Sequence, residues 1–198
     1  STRKIVWNFP TIGKNESSGW GWFVQNTIDY DLIDNQESSV FLDWFEFKGL
    51  GFGVRHQYDS FQNRGHVFSY HLTEQDTLKH HTKFEWDNRW SMTDEIQVKS
   101  THSYKNYIPI GGSSQVHSEY SQLQTRYDDL GDIYDVTVSD TQNFMGNSQT
   151  LSASFMRTFN GHTPFSASLS HNRLYEANIQ TYTGTSKQEW KFVDDWTL

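Results

Sequence analysis

Serines 166, 168 and 170 alternate with Phe165, Ala167, Leu169 and His171, and just upstream Ser152 and Ser154 alternate with Leu151, Ala153 and Phe155. Successive side chains of a β-strand point to opposite faces, so this pattern makes one wall apolar and the other hydroxylated. The same alternation recurs, less cleanly, along most of the chain. Such a sheet needs an apolar medium against one face and water against the other. The medium is either a protein core or a lipid bilayer.

Strand candidates follow one another with turn signals between them and no convincing helix. They are Lys4 to Phe9, Trp20 to Tyr30, Ser39 to Phe47, Gly51 to Asp59, His66 to Thr73, His80 to Trp90 and Asp94 to Tyr104. After a long connection from Lys105 to Ser114 come Gln115 to Tyr127, Ile133 to Asp140, Gln149 to Phe159, Pro164 to Tyr175 and Lys187 to Trp196. Pro10 to Ser18 and Asp128 to Gly131 are read as turns, and Asn160 to Thr163 as a hairpin turn. Phe52, Val54, His56 and Tyr58 share one face, as do Phe68, Tyr70 and Leu72 on the following strand. Thr82, Phe84 and Trp86 oppose Lys83, Glu85 and Asp87, and Ile96 and Val98 oppose Gln97, Lys99, Thr101 and Ser103.

That makes about twelve strands at a spacing of roughly 14 to 16 residues, where soluble sandwiches turn every 8 to 12. A strand of about ten residues plus a turn fits a tilted bilayer crossing. Composition agrees. Only 34% of the 198 residues are hydrophobic, which is little for a packed globule, yet 16% are aromatic, which is too many for a disordered chain. Charges lie well inside strands, as a wet lumen permits. The expectation is therefore an all-β fold, an antiparallel up-and-down transmembrane β-barrel or a large part of one, in a single domain over residues 1–198. Arg55, Gln57, Lys83, Glu85, Gln97, Lys99 and Thr101 would line the lumen, and Trp20, Trp22, Trp44, Trp86 and Trp90 would form interfacial girdles.

The net charge of -8 leaves no basic stripe for nucleic acid. No apolar run is long enough for a transmembrane helix, which says nothing against strands. There is no cysteine, hence no disulfide and no thiolate metal site. The chain opens at Ser1, Thr2 and Arg3 without a signal-peptide pattern, as expected of a mature or an excised segment.

One stretch points further. Phe9-Pro10 and Gly13 lead to Ser18-Gly19-Trp20-Gly21-Trp22, then to a polar strand from Asn26 to Leu32 that includes Tyr30-Asp31. Leu42-Asp43, Lys48-Gly49-Leu50-Gly51-Phe52-Gly53 and Tyr58 follow, and then the alternating strand from Gly65 to Leu72. This succession resembles the start of the barrel in the LptD family of lipopolysaccharide-assembly outer-membrane proteins. The resemblance covers Phe9 to Leu72 by motif and the remainder by strand style. It implies a bacterial outer-membrane location and transport of lipopolysaccharide into the outer leaflet, without covalent chemistry by this chain. It also implies a lateral seam between first and last strands, a lipoprotein plug in the lumen and a periplasmic bridge protein that delivers the lipid. The cysteines by which many members join jellyroll and barrel are missing. At this length the chain would correspond to about half of that family's barrel, or to a smaller barrel of the same strand style.

Other chemistries were weighed on the residues. His80 and His81 are neighbours and face opposite ways on a strand, while His56, His66 and His71 lie on separate strands or faces, so no metal site is expected. Glu85 and Asp87 share a face, and Asp43 and Asp135 lie on polar sides of strands. In a jelly roll, two carboxylates about 5 Å apart could serve a retaining glycoside hydrolase, with the tryptophans as sugar platforms. But an i, i+2 pair lies along one strand rather than across a cleft, and a wet lumen explains it more simply. No nucleophile elbow, phosphate loop or dinucleotide fingerprint is present, so no catalytic residue and no cofactor is expected. The alternatives are a soluble β-sandwich or jelly roll that binds or cleaves polysaccharide, and a lipocalin-type barrel for a small apolar ligand.

Overall fold

A computed structural model describes residues 4–15, 19–33, 35–75, 79–108, 115–159, 162–176 and 179–190. All regular secondary structure among them is strand. The thirteen strands are β1 (Ile5–Trp7), β2 (Thr11–Asn15), β3 (Gly21–Ile33), β4 (Gln36–Phe45), β5 (Gly49–Asp59), β6 (Asn63–Thr73) and β7 (His80–Ser91), followed by β8 (Ile96–Tyr107), β9 (Val116–Asp129), β10 (Asp132–Asn143), β11 (Ser148–Phe159), β12 (His162–Glu176) and β13 (Ile179–Trp190). They form one antiparallel sheet in which each strand from β3 onward pairs with the next, while β1 and β2 both pair with β3. The path runs from β1 to β13 without closing on itself. The all-β antiparallel expectation therefore holds at the level of the sheet.

Several bounds differ from expectation: residues 105–107 of the expected connection belong to β8, and His162 and Thr163 of the expected hairpin turn to β12. The stretch from Pro10, read as a turn, contains β2, whose Gly13 lies opposite Phe23 and beneath its ring. A glycine there leaves the space the ring fills. The last strand starts at Ile179, eight residues before the expected Lys187, because the Ile179–Ser186 stretch is polar on both faces and gives little period-2 contrast. Residues 191–196 of the expected last strand, together with Asn160 and Gly161 of the expected hairpin turn, lie outside the described residues.

The chain divides into two compact units, Ser1–Asn88 with His102–Glu119, and Arg89–Thr101 with Tyr120–Leu198. In the first, the register pairs Val40 with Val54, Leu42 with Phe52 and Trp44 with Leu50, so apolar side chains stack on one face. That face is exposed; Phe52, for example, is 54% accessible. The opposite face of the same strands carries Asp29 opposite Ser39, Gln25 opposite Asp43 and Ser39 opposite Arg55. Large apolar side chains thus stand uncovered on one face, while the other mixes these polar groups with Phe23, Phe41 and Phe45.

In the second unit the two serine runs meet in register, Ser152 opposite Ser170 and Ser154 opposite Ser168. Ser139 and Thr137 of β10 extend the rows, with the Ser139 and Ser152 hydroxyls 2.7 Å apart. The other face stacks Val136 with Phe155 and Ala167, and Val138 with Ala153 and Leu169. Val136, Val138, Leu151 and Leu169 are exposed there. A wall of hydroxyls backed by an exposed apolar wall is what the alternation demands.

Candidate functional site

The sheltered face of the first unit holds Trp20, Phe45 and Leu72, the buried apolar cluster among the described residues, against which Phe23 and Tyr70 pack. Leu72 and Tyr70 are on this face because β6 pairs Leu72 with Gly51 and Tyr70 with Gly53. The shared face of Phe68, Tyr70 and Leu72 is thus opposite to that of Phe52 and Val54. The reason is spatial: a methyl group at Gly51 would run into the Tyr70 hydroxyl, and one at Gly53 would lie 2.6 Å from its ring. The two glycines let the Tyr70 ring lie over β5, an aromatic covering glycine within a sheet. The ring thereby carries its hydroxyl to Asp43, donating to Oδ2 at 2.7 Å. Gln25 donates to the same oxygen at 3.4 Å. Asp43 is 6% exposed, so these donors replace water around a buried carboxylate.

A second polar cluster sits beside the first. Glu74 is buried and accepts from Lys48 Nζ at 2.7 Å and from His81 Nε2 at 2.7 Å. The Ile108 backbone N–H donates to His81 Nδ1 at 3.1 Å. Nδ1 therefore carries a lone pair and the ring proton sits on Nε2, aimed at Glu74. Glu74 Oε1 thus accepts from a lysine ammonium and from the His81 ring. Sequence reasoning gave Glu74 and Lys48 no place in a site, since Lys48 lies in the β4–β5 turn and Glu74 just past β6, and no spacing rule links them.

Around these groups lies an apolar cavity of about 390 Å³, bounded by Trp20, Phe41, Phe45, Phe68, Tyr70 and Leu72, with Lys83, His81 and Asp43 as its polar fringe. Lys83 lies 5.0 Å from the centre of the Phe68 ring and 3.2 Å from Glu85, to which Lys105 also extends at 3.7 Å. Its size and lining suit an alkyl chain or ring with a polar head at the fringe. At that fringe Asp43 accepts from Tyr70 and Gln25, both at Oδ2.

Arg55 and Gln57 line a separate, polar cleft on this face with Asp29, Asp31, Glu37, Ser38 and Ser39. Ser39 links the cleft, donating to Asp29 at 2.6 Å and accepting from Arg55 at 3.2 Å. Of the expected lumen residues in the first unit, Arg55 and Gln57 thus line the polar cleft though exposed, and Lys83 lines the apolar cavity with Glu85 paired to it. Gln97 and Lys99 come together in a cavity of the second unit, where Thr101 is half-buried.

The tryptophans divide. Trp22, Trp44, Trp86 and Trp90 are exposed, but Trp20 is 4% exposed and packs edge-on against Phe45 at 4.8 Å. Its expected interfacial role is corrected to that of a core side chain. It precedes Gly21, whose φ of 71° turns the chain into β3 and swings Trp20 under the sheet. Glu85 and Asp87 are neighbours along one strand. His80 and His81 do face opposite ways, His80 stacking on His71 at 5.4 Å while His81 is buried. Among the described residues no group of three or more potential ligands is arranged to hold a metal ion.

No protein-family model matches the chain, and no curated protein matches it either.

Proposed function

We propose that the chain is an outer-membrane β-barrel, or a large part of one, of the kind that LptD exemplifies, and that it passes lipopolysaccharide toward the outer leaflet. The observation that carries this reading is the exposed stack of Leu42, Trp44, Leu50, Phe52 and Val54, whose opposite face sets Asp29, Asp43 and Arg55 around the small buried cluster of Trp20, Phe45 and Leu72. A sandwich would bury that stack against a second sheet; a bilayer covers it with acyl chains. Strand length supports the same reading. The strands from β3 to β13 have ten to fifteen residues. Ten residues at ~3.4 Å each, tilted by ~45°, rise about 24 Å, against an apolar band of ~25 Å.

The transport step rests on the resemblance of Phe9 to Leu72 to that family and on a sheltered face that offers both an apolar cavity and polar clefts to an amphipathic cargo. A lipoprotein plug and a periplasmic bridge protein are the partners that the resemblance brings with it. Location and transport are tested separately. In the cell of origin the protein should fractionate with the outer membrane, require detergent and change gel mobility on heating. A photo-crosslinker at Gln57 should capture lipopolysaccharide, and one at Phe52 should capture phospholipid. A protein that stays monodisperse in plain buffer refutes the membrane reading. Outer-membrane protein that crosslinks only phospholipid at both positions refutes the transport reading alone.

A further inference from the structure

In the second unit, Arg89 on β7, Gln97 and Lys99 on β8, and Gln124 and Arg126 on β9 line one cavity of about 210 Å³, completed by Val98. Positions 97 and 99, like 124 and 126, are two apart on a strand and so share a face. Three consecutive strands thus aim five donor side chains into one space. Three are cationic and no carboxylate lines it, in a chain whose net charge is -8. Asp135 accepts from Gln124 at 3.4 Å outside the lining. Among the described residues neither Arg89 nor Arg126 has an ion-pair partner.

We propose that this cavity is an anion site for a phosphate group, held by the guanidinium forks of Arg89 and Arg126, with the Gln97 and Gln124 amides as neutral donors. Phosphate fits better than a simple halide because a guanidinium donates two parallel hydrogen bonds to two oxygens of one group. Two arginines and two amides match an acceptor with at least three oxygens. Lys99 adds to the field of the site, and the recognition does not depend on it. The bearer of the phosphate is a lipid headgroup, a phosphorylated sugar or the free ion; the shared chemistry is the phosphate. The site stands on this cavity alone, whether or not the chain carries lipid.

The test uses the full chain in neutral detergent micelles at low salt. Inorganic phosphate, glucose 6-phosphate and phosphatidic acid are titrated separately and followed by phosphorus NMR, with chloride and phosphatidylcholine as references. At least one phosphate probe should bind above its reference. Arg89→Gln and Arg126→Gln should each weaken that binding about tenfold or more, and Arg64→Gln should leave it unchanged. A response to phosphatidic acid alone assigns the site to a headgroup; a response to inorganic phosphate or the sugar phosphate assigns it to a soluble anion. Arg126→Lys keeps the charge but not the fork, and should lose affinity while keeping the strand signal in circular dichroism. The site is overturned if no phosphate probe exceeds its reference, or if the Arg89→Gln, Arg126→Gln pair binds as the parent does. It is equally overturned if Arg126→Lys, with the fold intact, binds as tightly as the parent.

Discussion

Val54 is the middle residue of the eleven in β5, lies opposite Val40 and is 37% exposed on the apolar face. Replacing it with arginine distinguishes water from hydrocarbon on that face. In water the new charge stays solvated, and a surface substitution of this kind changes stability by no more than about 0.5 kcal/mol. At the bilayer midplane an outward arginine costs about 2–4 kcal/mol, falling to about 0–1 kcal/mol near the interfaces. Leu50, on the same face but at the strand's start, supplies the interfacial comparison. The expected result is a graded loss: about 3 kcal/mol for Val54→Arg, or on the order of a hundredfold in the folded-to-unfolded ratio, and under about 1 kcal/mol for Leu50→Arg. Guanidinium unfolding of the chain reconstituted in phospholipid vesicles, followed by tryptophan fluorescence, measures both. Equal and negligible losses at the two positions would falsify the claim that this face meets lipid.

Three further outcomes are expected. Gly51→Val should destabilise the chain by about 1–3 kcal/mol through displacement of the Tyr70 ring, and Tyr70→Ala in the same chain should absorb much of that penalty; strictly additive losses in a double-mutant cycle would refute the contact. Lys48→Met should cost up to about 3–5 kcal/mol because it removes a close ammonium from the buried Glu74 carboxylate, whereas Lys48→Met with Glu74→Leu should cost much less, as denaturant midpoints would reveal. Leu130 and Gly131 form a two-residue hairpin loop with φ of 50° and 97°, a primed turn that suits asparagine far better than leucine. Leu130→Asn should therefore stabilise by about 0.5–1 kcal/mol, and a lowered melting temperature would contradict this account of the turn.

Much of the sheet was legible because its signal is local. The serine alternation of β11 and β12 fixes which residues share a wall, and the register then sets serine opposite serine. The direction of a wall is less local. Phe68, Tyr70 and Leu72 are visibly one stripe, but which way the stripe faces depends on pairing with Gly51 and Gly53, and on the room those glycines leave. β2 was hidden because proline, glycine and the polar residues around it outweigh five residues with a single strong apolar member. The Lys48–Glu74–His81 cluster was illegible for a different reason. Its members come from a turn, a strand end and the next strand, and no spacing rule brings them together. Trp20 shows the limit of reading by residue type, since a tryptophan next to glycine serves an interface or a core depending on one backbone torsion.

The matched serine rows bear on how β11 and β12 find each other. Both repeat every two residues, so a slide of two positions still sets serine against serine, and the period that sorts the faces is blind to such a slip. The neighbouring pair is held more firmly. Gln149 grips both Asp140 oxygens, at 3.0 and 3.1 Å, and Arg157 reaches Asp132 at 3.3 Å, so β10 clasps β11 near each end. Like a zip whose teeth mesh at more than one setting, the serine hairpin takes no unique alignment from its repeat, whereas β11 is fastened to β10 by side chains outside it. β11 anchored on β10 is then the fixed rail along which β12 comes to rest.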